Sequence, residues 1–407
     1  MSYSVAMFSV HTSPLDSPGK TKDAGGMNVY MRELARELAE RDQKIDIFTR
    51  WSNEHTPQII QIAENLRVIH IQAGPRSGVA KNDLYQYLPT FERNVEEFAC
   101  REQKNYDIVH SHYWLSGVAG MKLAKAWDIP HITMFHTLGK LKQQANPQEA
   151  EPQLRLEMEQ RLLQQVDVIV AATAEERTQM IRNCGAGAGR IEVVPCGVDL
   201  KLFRAHNQRK ARAQFGLSQD LPILLFAGRL DPFKGPDVLL RAARMMQEKV
   251  QIVIVGGKLV GDKELSGLQQ LAEELQVSSR VKFLGARPQQ ELPLLYSAAD
   301  VTVVPSYHES FGLVAIESLA CGTPVVATRA GGLSTVIQNG ETGFLVPRCP
   351  GFFAERIDTL VRDERLRARM GEAARQSVMK YSWKSVAEEI SGIYDLLINN
   401  AACLVAQ

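Results

Sequence analysis

The sequence lacks an excess of one charge, a long apolar run and, in its first residues, the pattern of a signal peptide. Its 407 residues carry 47 lysines and arginines against 46 acidic residues, so no overall basic field would attract nucleic acid. No apolar stretch approaches the roughly 18 residues that span a membrane. The first ten residues lack the charged start and cleavage pattern of a signal peptide, and they are typical of a β-strand instead.

Paired cysteines are also absent. The six cysteines are scattered without a Cys-x-x-Cys pair, which argues against structural zinc, and a chain of this length seldom relies on disulfides. We interpret the thiols as small buried hydrophobes and expect a reducing, cytoplasmic setting.

What the sequence does contain is a regular alternation of short β-branched runs and longer helical patterns. This alternation is typical of parallel, doubly wound α/β sheets. It begins at Val5–Val10, turns polar near the middle of the chain and restarts at Ile223–Ala227. We therefore predict two Rossmann-like domains, residues 1–205 and 206–381, facing a cleft. The last helix, residues 382–407, is expected to pack back on the first domain.

Two carboxylates eight residues apart mark the most informative stretch. Glu309 precedes a Phe-Gly turn and Glu317 follows an apolar run, at a junction between a predicted strand and a predicted helix. Both acids could line one side of a cleft if the helix begins between them. Hydroxyl-rich ligands such as sugars and riboses need acceptors fixed in this manner, so the pair indicates a site for a polar ligand.

Two glycine-containing loops follow predicted strands. Gly25 and Gly26 precede a helix, where backbone N–H groups could approach an anion, although a flexible loop explains them equally well. The second loop places Arg229 and Lys234 between glycines, and the two cations suit a diphosphate. A solvated basic loop is the alternative. Neither loop has the dinucleotide or P-loop pattern of glycines.

A histidine and two lysines follow the strand predicted at His131–Phe135. His136 could hydrogen-bond a ligand hydroxyl or transfer a proton, while Lys140 and Lys142 could bind an anion; a structural histidine is the alternative. After another strand, Tyr113 could stack on a ligand or simply pack. The neighbouring histidines lack convincing metal-ligand spacing, so no metal site is predicted. The polar segment 140–152 is interpreted as a loop that could form a mobile lid.

Together these motifs resemble glycosyltransferase family 4, whose members are retaining enzymes of GT-B fold that use nucleotide-diphosphate sugars. The resemblance covers essentially the whole chain. It implies that Arg229 and Lys234 hold the donor diphosphate and that Glu317 accepts from the ribose hydroxyls. It also implies that Glu309 positions the donor sugar and that His136 lies near the sugar at the reacting face. Further donor-binding residues implied by the resemblance are Gly25, Gly26, Phe311, Gly312 and Leu313.

The same resemblance implies front-face attack with retention of configuration, without a metal or other cofactor. It implies an acceptor site for a phosphorylated substrate, formed by Asn28, Lys81, Tyr113, Thr137, Lys142 and Arg155. Much of the sequence is similar to that of the inositol-phosphate N-acetylglucosaminyltransferases. The segment from His136 to Lys142 is more similar to sucrose-phosphate synthases, yet Met27-Asn28 departs from their usual pattern.

We therefore expect transfer of glucose from UDP-glucose to fructose 6-phosphate, giving sucrose 6-phosphate, with a separate phosphatase as partner. The alternative is transfer of N-acetylglucosamine to inositol 3-phosphate or another sugar phosphate. A non-catalytic protein that binds sugar nucleotides is a third possibility. Intact His136, Arg229, Lys234, Glu309 and Glu317 argue against it.

Overall fold

The computed structural model describes residues 2–16, 25–147, 150–259 and 261–405, with the side chains of 401–405 left out. The chain forms two compact units. The first contains the residues before 17, residues 26–195 and the residues from 383 onward, and the second contains residues 196–382. These units differ from the predicted limits mainly in residues 196–205.

The first unit is built on an eight-stranded sheet of short segments, most of them buried. Its strands are β1 Ser4–Ser9, β2 Lys44–Arg50, β3 Ile59–Ala63, β4 Leu66–Ile71, β5 Ile108–His112, β6 His131–Met134, β7 Val168–Ala171 and β8 Ile191–Val193. They lie in the order β3-β4-β2-β1-β5-β6-β7-β8, and all pairs are parallel except β3 with β4. Val5 pairs with Ile45 on one side and with Ile108 on the other.

Helices and a hydrophobic core flank this sheet. The helices are α1 Gly26–Ala39, α2 Leu88–Arg101, α3 Trp114–Trp127, α4 Gly139–Ala145, α5 Gln153–Gln165 and α6 Ala174–Cys184. Phe8 stacks on Phe48 at 5.4 Å between ring centroids, and Phe91 meets Phe8 edge-on. Strands covered by helices bury both of their faces, which explains their almost continuous apolar runs.

The second unit has a six-stranded, wholly parallel sheet. Its strands are β9 Ile223–Ala227, β10 Gln251–Val255, β11 Val281–Gly285, β12 Val301–Val304, β13 Val325–Thr328 and β14 Gly343–Val346, in the order β11-β10-β9-β12-β13-β14. Its helices are α7 Gln208–Gln214, α8 Pro236–Met245, α9 Lys263–Glu274, α10 Leu292–Ala298, α11 Leu313–Ala320, α12 Leu333–Val336, α13 Pro350–Arg362 and α14 Glu364–Ser377.

The chain then returns to the first unit in its last helix, α15 Trp383–Val405. Trp383 meets Tyr30 of α1 edge-on at 5.5 Å, so α15 packs on the first helix of the chain. Short 3₁₀ helices complete the secondary structure at Lys81–Tyr87, Ala188–Arg190, Ser278–Arg280, Gln289–Glu291 and Met379–Tyr381. Across the described part of the chain, every helix is too short or too polar to cross a bilayer.

Each sheet contains one point where the strand order reverses. In the first unit β1 lies between β2 and β5, and in the second β9 lies between β10 and β12. Loops that leave the carboxyl ends of such strands diverge to opposite faces of the sheet and open a crevice for ligands. The loops after β1 and β5, and those after β9 and β12, are therefore the places to look for a site.

The predicted fold class, two doubly wound α/β domains, is confirmed. Two strands were not predicted: β3, an edge strand of alternating exposure, and β14 at the edge of the second sheet. The apolar signal of β3 is weak because alternate residues are exposed, and β14 is only four residues long. Much of the predicted loop 140–152 is helical, since α4 extends to Ala145; residues 148 and 149 lie outside the described residues.

Candidate active site

The loop after β9 brings its basic residues against the loop after β12. Lys234 donates from Nζ to Oε1 of Glu309 at 2.6 Å. Gly235 has φ of +72°, and a Cβ there would lie 2.4 Å from the carbonyl oxygen of Pro305. Only glycine tolerates both the conformation and the contact, so Gly235 is what allows Lys234 to approach Glu309. Arg229 is more open, with 42% of its side chain exposed and Nε 3.4 Å from Oδ2 of Asp231.

Glu309 is held as a carboxylate. Burial would raise the pKa of Glu309, but the Lys234 ammonium and the Ser306 hydroxyl, which donates at 2.9 Å, outweigh it and bring the pKa below its ordinary value. A negative oxygen fixed in this way can accept from sugar hydroxyls, and Lys234 beside it can attract an anionic group. The pair predicted from sequence as separate donor contacts is therefore one ion pair.

The residues that follow Glu309 start helix α11. Gly312 has φ of +101° and precedes Leu313, the first residue of the helix; a Cβ on Gly312 would lie 2.8 Å from the side chain of Leu333. Phe311 is buried and meets Tyr381 edge-on at 5.6 Å, so its ring packs in the protein. Backbone N–H groups are what this turn offers to a ligand.

Glu317, one turn into α11, is in a different environment from Glu309. Only 8% of the residue is exposed, and Tyr296 donates its hydroxyl to Oε2 at 2.8 Å. Burial raises the pKa of Glu317 to about 7, with the Tyr296 hydrogen bond opposing that rise. Near neutral pH this carboxyl is thus partly protonated, whereas Glu309 is charged.

Two close backbone contacts in the second unit were not found by sequence reasoning. A Cβ on Gly331 would lie 2.2 Å from the carbonyl oxygen of Glu309, which also accepts from the N–H of Gly332 at 2.7 Å. A Cβ on Gly256 would lie 1.8 Å from the carbonyl oxygen of Gly228. The available signal was a glycine pair in a loop after a strand, Gly256-Gly257 after β10 and Gly331-Gly332 after β13.

In the first unit, His136 follows β6 and lies among other aromatic rings. Its φ is +58°, an uncommon conformation for a residue other than glycine. Its Nε2 is 3.0 Å from Nδ1 of His112, and its ring meets that of Tyr30 edge-on at 5.1 Å. Burial lowers the pKa of His136 to about 3, so the imidazole is neutral at physiological pH.

Two of the other predicted acceptor residues, Lys81 and Arg155, lie close to the ring of Tyr113. The Lys81 ammonium lies 5.6 Å from the ring centroid, the Arg155 guanidinium 5.0 Å, and the ring of His11 4.4 Å. Burial, as the main cause, raises the pKa of Tyr113 to about 12. His11, just after β1, was missed because a lone histidine carries no spacing signal.

The remaining predicted cations are engaged by carboxylates. Arg155 is buried and donates to Glu159 at 2.6 Å, to Glu151 at 2.7 Å and to the carbonyl of Thr137 at 2.6 Å. Lys142 donates to the other oxygen of Glu151 at 2.8 Å. The structure thus brings Thr137, Lys142 and Arg155 into one network, with Glu151 between the two cations.

Asn28 and the two N-terminal glycines lie at the start of α1. Asn28 is buried and donates to the hydroxyl of Thr12 at 2.8 Å and to the carbonyl of Ser13 at 2.6 Å. Gly26 begins the helix, and among the described residues a Cβ on Gly25 would meet nothing within 4 Å. The residues just before Gly25 lie outside the described part.

Metal ligands were not predicted, and the described ranges contain no group of three or more histidine, cysteine, aspartate or glutamate side chains placed to hold an ion. What the described parts of the two units offer is a set of cations, the carboxylates paired with them and neutral imidazoles.

Comparison with protein families matches both halves of the chain. Residues 24–202 match the profile described as Glycosyltransferase Family 4, and residues 207–377 match Glycosyl transferases group 1. Two relatives are named D-inositol 3-phosphate glycosyltransferase. That of Corynebacterium glutamicum (strain R) is 40% identical over 97% of each chain. The second of these enzymes in Catenulispora acidiphila is 42% identical over 98% of this chain and 96% of its own.

Among solved structures, the sucrose-phosphate synthase from Thermosynechococcus elongatus superposes with a TM-score of 0.91. It is 33% identical, over 98% of this chain and 100% of its own. This likeness and the two family profiles confirm the GT-B architecture and the glycosyltransferase family.

The prediction of sucrose 6-phosphate synthesis from UDP-glucose and fructose 6-phosphate is wrong. Relatives about 40% identical over nearly their full length are inositol 3-phosphate glycosyltransferases, which favours the alternative acceptor. The sucrose prediction depended on residues 136–142, where Lys142 is bound to Glu151 and the Thr137 carbonyl to Arg155. Contacts within the protein account for part of this segment, so its likeness to sucrose-phosphate synthases does not identify which phosphorylated acceptor is used. The expected phosphatase depended on the same prediction.

Proposed function

Since the chain belongs to the family 4 glycosyltransferases, we propose that it transfers N-acetylglucosamine from UDP-N-acetylglucosamine to inositol 3-phosphate. The observation that carries this proposal is the near full-length identity of 40–42% to D-inositol 3-phosphate glycosyltransferases. Basic residues in both units support it, because donor and acceptor both carry phosphate.

The donor half of the reaction would use the second unit. The costly event is departure of UDP while positive character builds on the sugar. Lys234 and Arg229 would hold the diphosphate and neutralise the charge that develops as it leaves; one such contact contributes about 3 kcal/mol. Glu309, kept ionised by Lys234, would accept from hydroxyls of the donor sugar. We expect retention of configuration, with the leaving phosphate accepting the proton of the attacking hydroxyl.

The acceptor half would use the cations of the first unit. The Lys81 ammonium and the Arg155 guanidinium both lie close to the ring of Tyr113, and Lys142 is linked to Arg155 through Glu151. A phosphate on a cyclitol fits such a cluster, since guanidinium and ammonium groups together bind its oxygens. A neutral His136 would serve as a hydrogen-bonding group and not as a cation.

An assay of UDP release tests the proposal directly. Purified protein with UDP-N-acetylglucosamine is given inositol 3-phosphate, unphosphorylated inositol or fructose 6-phosphate, and the last acceptor is repeated with UDP-glucose. We expect turnover with inositol 3-phosphate and at least 100-fold less with either other acceptor, because unpaired cations penalise an acceptor without the phosphate in place. Turnover confined to fructose 6-phosphate, or none with inositol 3-phosphate, would overturn the proposal.

Metal independence is part of the proposal. Since Lys234 and Arg229 would supply the positive charge at the diphosphate, we expect the rate to be unchanged in excess EDTA. The control is the same assay with Mg²⁺ restored. A rate abolished by EDTA and recovered with Mg²⁺ would assign the diphosphate to a metal.

A further inference from the structure

The row of histidines behind His136 carries information on how that residue is protonated. His112 lies on β5 and His136 after β6, and Nδ1 of His112 is 3.0 Å from Nε2 of His136. The next ring in the row, His110, lies 4.3 Å from His112 between centroids. His110 is itself 2.7 Å from the hydroxyl of Tyr394 on α15, through Nδ1.

All three rings are neutral at physiological pH, because the pKa of each is lowered. Burial is the main cause in each case. A neutral imidazole has one N–H donor and one acceptor nitrogen. Within the contact between His112 and His136, one ring must therefore donate and the other must accept. The direction of that single hydrogen bond fixes the tautomer of both rings.

The other nitrogen of His112 indicates the direction. Nε2 of His112 is buried, and within the described residues it has no hydrogen-bond partner. A buried donor without a partner is rarer than a buried acceptor without one. Nε2 is then the bare nitrogen, and the proton of His112 is on Nδ1, the atom that faces His136. The same argument holds for His110, whose Nε2 is also buried without a partner while Nδ1 faces Tyr394.

We infer that His112 is a positioning residue that sets the tautomer of His136 by donating from Nδ1 to Nε2. His136 then carries its own proton on Nδ1. In this form the second nitrogen of His136 is a hydrogen-bond donor, and neither nitrogen of the ring is left to act as a base. A donor suits a group that holds an oxygen of the sugar or of the acceptor, whereas a general base would need the opposite tautomer.

The tautomer can be read without any substrate, so a failure of this inference is distinguishable from a failure of the proposed acceptor. The protein has nine histidines, and ¹⁵N labelling of them gives ring shifts that separate Nδ1–H from Nε2–H forms. His136→Gln identifies the signals of His136 by their loss. We expect His136, His112 and His110 all to be Nδ1–H. A wild-type spectrum with His136 protonated on Nε2 would overturn the inference whatever the variants do.

Two substitutions of His112 test its role. His112→Leu removes the donor, and we expect the Nδ1–H signal of His136 to be lost and the turnover to fall roughly 10- to 100-fold, as for partners that orient other histidines. His112→Asn keeps an amide that can donate near the position of Nδ1, so the tautomer and most of the turnover should be retained. His55→Leu, on an exposed loop of the same unit, is the matched control. Unchanged His136 shifts and turnover in His112→Leu would show that His112 does not act on His136.

Discussion

The two units hold their polar residues in opposite ways. In the second, Lys234 and Glu309 form a charged pair on glycine-supported loops, and a lowered pKa keeps Glu309 ionised. In the first, His112 is buried, His136 is half-buried and both are neutral, while Arg155 donates to two carboxylates. Charge in the second unit suits a diphosphate that leaves with added negative charge. Neutral imidazoles in the first unit suit the orientation of oxygen atoms. The units share a fold, so loop chemistry and not architecture makes this difference.

The largest expected effect concerns the charged pair. Lys234→Ala should lower kcat by roughly 10²- to 10³-fold, because a fixed cation at the leaving diphosphate is lost. Steady-state kinetics with a fixed acceptor concentration measure it. Lys249→Ala is the matched control and should keep the wild-type rate, because Lys249 is exposed and lies just before β10, at the amino ends of the strands. A wild-type kcat in Lys234→Ala would show that Lys234 does not act at the leaving diphosphate.

A second test concerns the glycine support of the loops. Gly256→Ala should destabilise the second unit by about 3 kcal/mol, since its Cβ would lie 1.8 Å from the carbonyl oxygen of Gly228 at a φ of +145°. Amide hydrogen exchange in β9 and β10 reports the loss. Gly267→Ala, within α9 and with nothing within 4 Å of its Cβ among the described residues, should leave exchange unchanged or slow it slightly. Equal exchange in both variants would contradict the close contact.

Acid should change the stability of the two units differently. His110, His131 and His136 have pKa values lowered to about 3 by burial, whereas unfolded histidine titrates near 6.5. Above pH 6.5 neither state is protonated. Below it only the unfolded state takes up protons, so each histidine costs about 1.4 kcal/mol of stability per pH unit down to about pH 3. Burial raises the pKa of Glu176 to about 7, which opposes this loss between about pH 7 and 4.5 with one group against three.

The second unit should respond in the other direction through Glu317, whose raised pKa means that its native form is protonated first as the pH falls from about 7. All four tryptophans lie in the first unit, so their fluorescence during urea unfolding follows that unit alone. We expect the urea midpoint of the first unit to decrease when the pH is lowered from 7.5 to 5. A constant midpoint would mean that these histidines are not buried as neutral rings.

The smallest effect is expected at the acceptor cations. Lys142→Ala should raise the KM for inositol 3-phosphate by about tenfold and leave the KM for the donor unchanged, because one charged contact to phosphate contributes about 1.4 kcal/mol. Lys140→Ala, an exposed neighbour on α4, is the control. Equal changes in both KM values would argue against a role of Lys142 in binding the acceptor phosphate.

The fold could be predicted from the sequence more completely than the site. Buried parallel strands such as β9 and β12 appear as short, mostly apolar runs next to glycine or proline, whereas the edge strand β3 alternates in exposure and was missed. Lys234 and Glu309 were recognised separately by motif. Their ion pair was not, nor was the approach of Gly256 to Gly228, because glycine has no side chain to signal a contact.

By itself the sequence determined the two doubly wound sheets, the loops that carry the charges and the glycosyltransferase family, since each depends on local pattern or on short motifs. Only the tertiary structure decided which polar groups meet. His112 and His136 are 24 residues apart, and Lys234 and Glu309 are 75 apart. Each pair joins residues at or just beyond the carboxyl ends of different strands. Strand order sets these meetings, and burial then decides which group stays charged and which stays neutral.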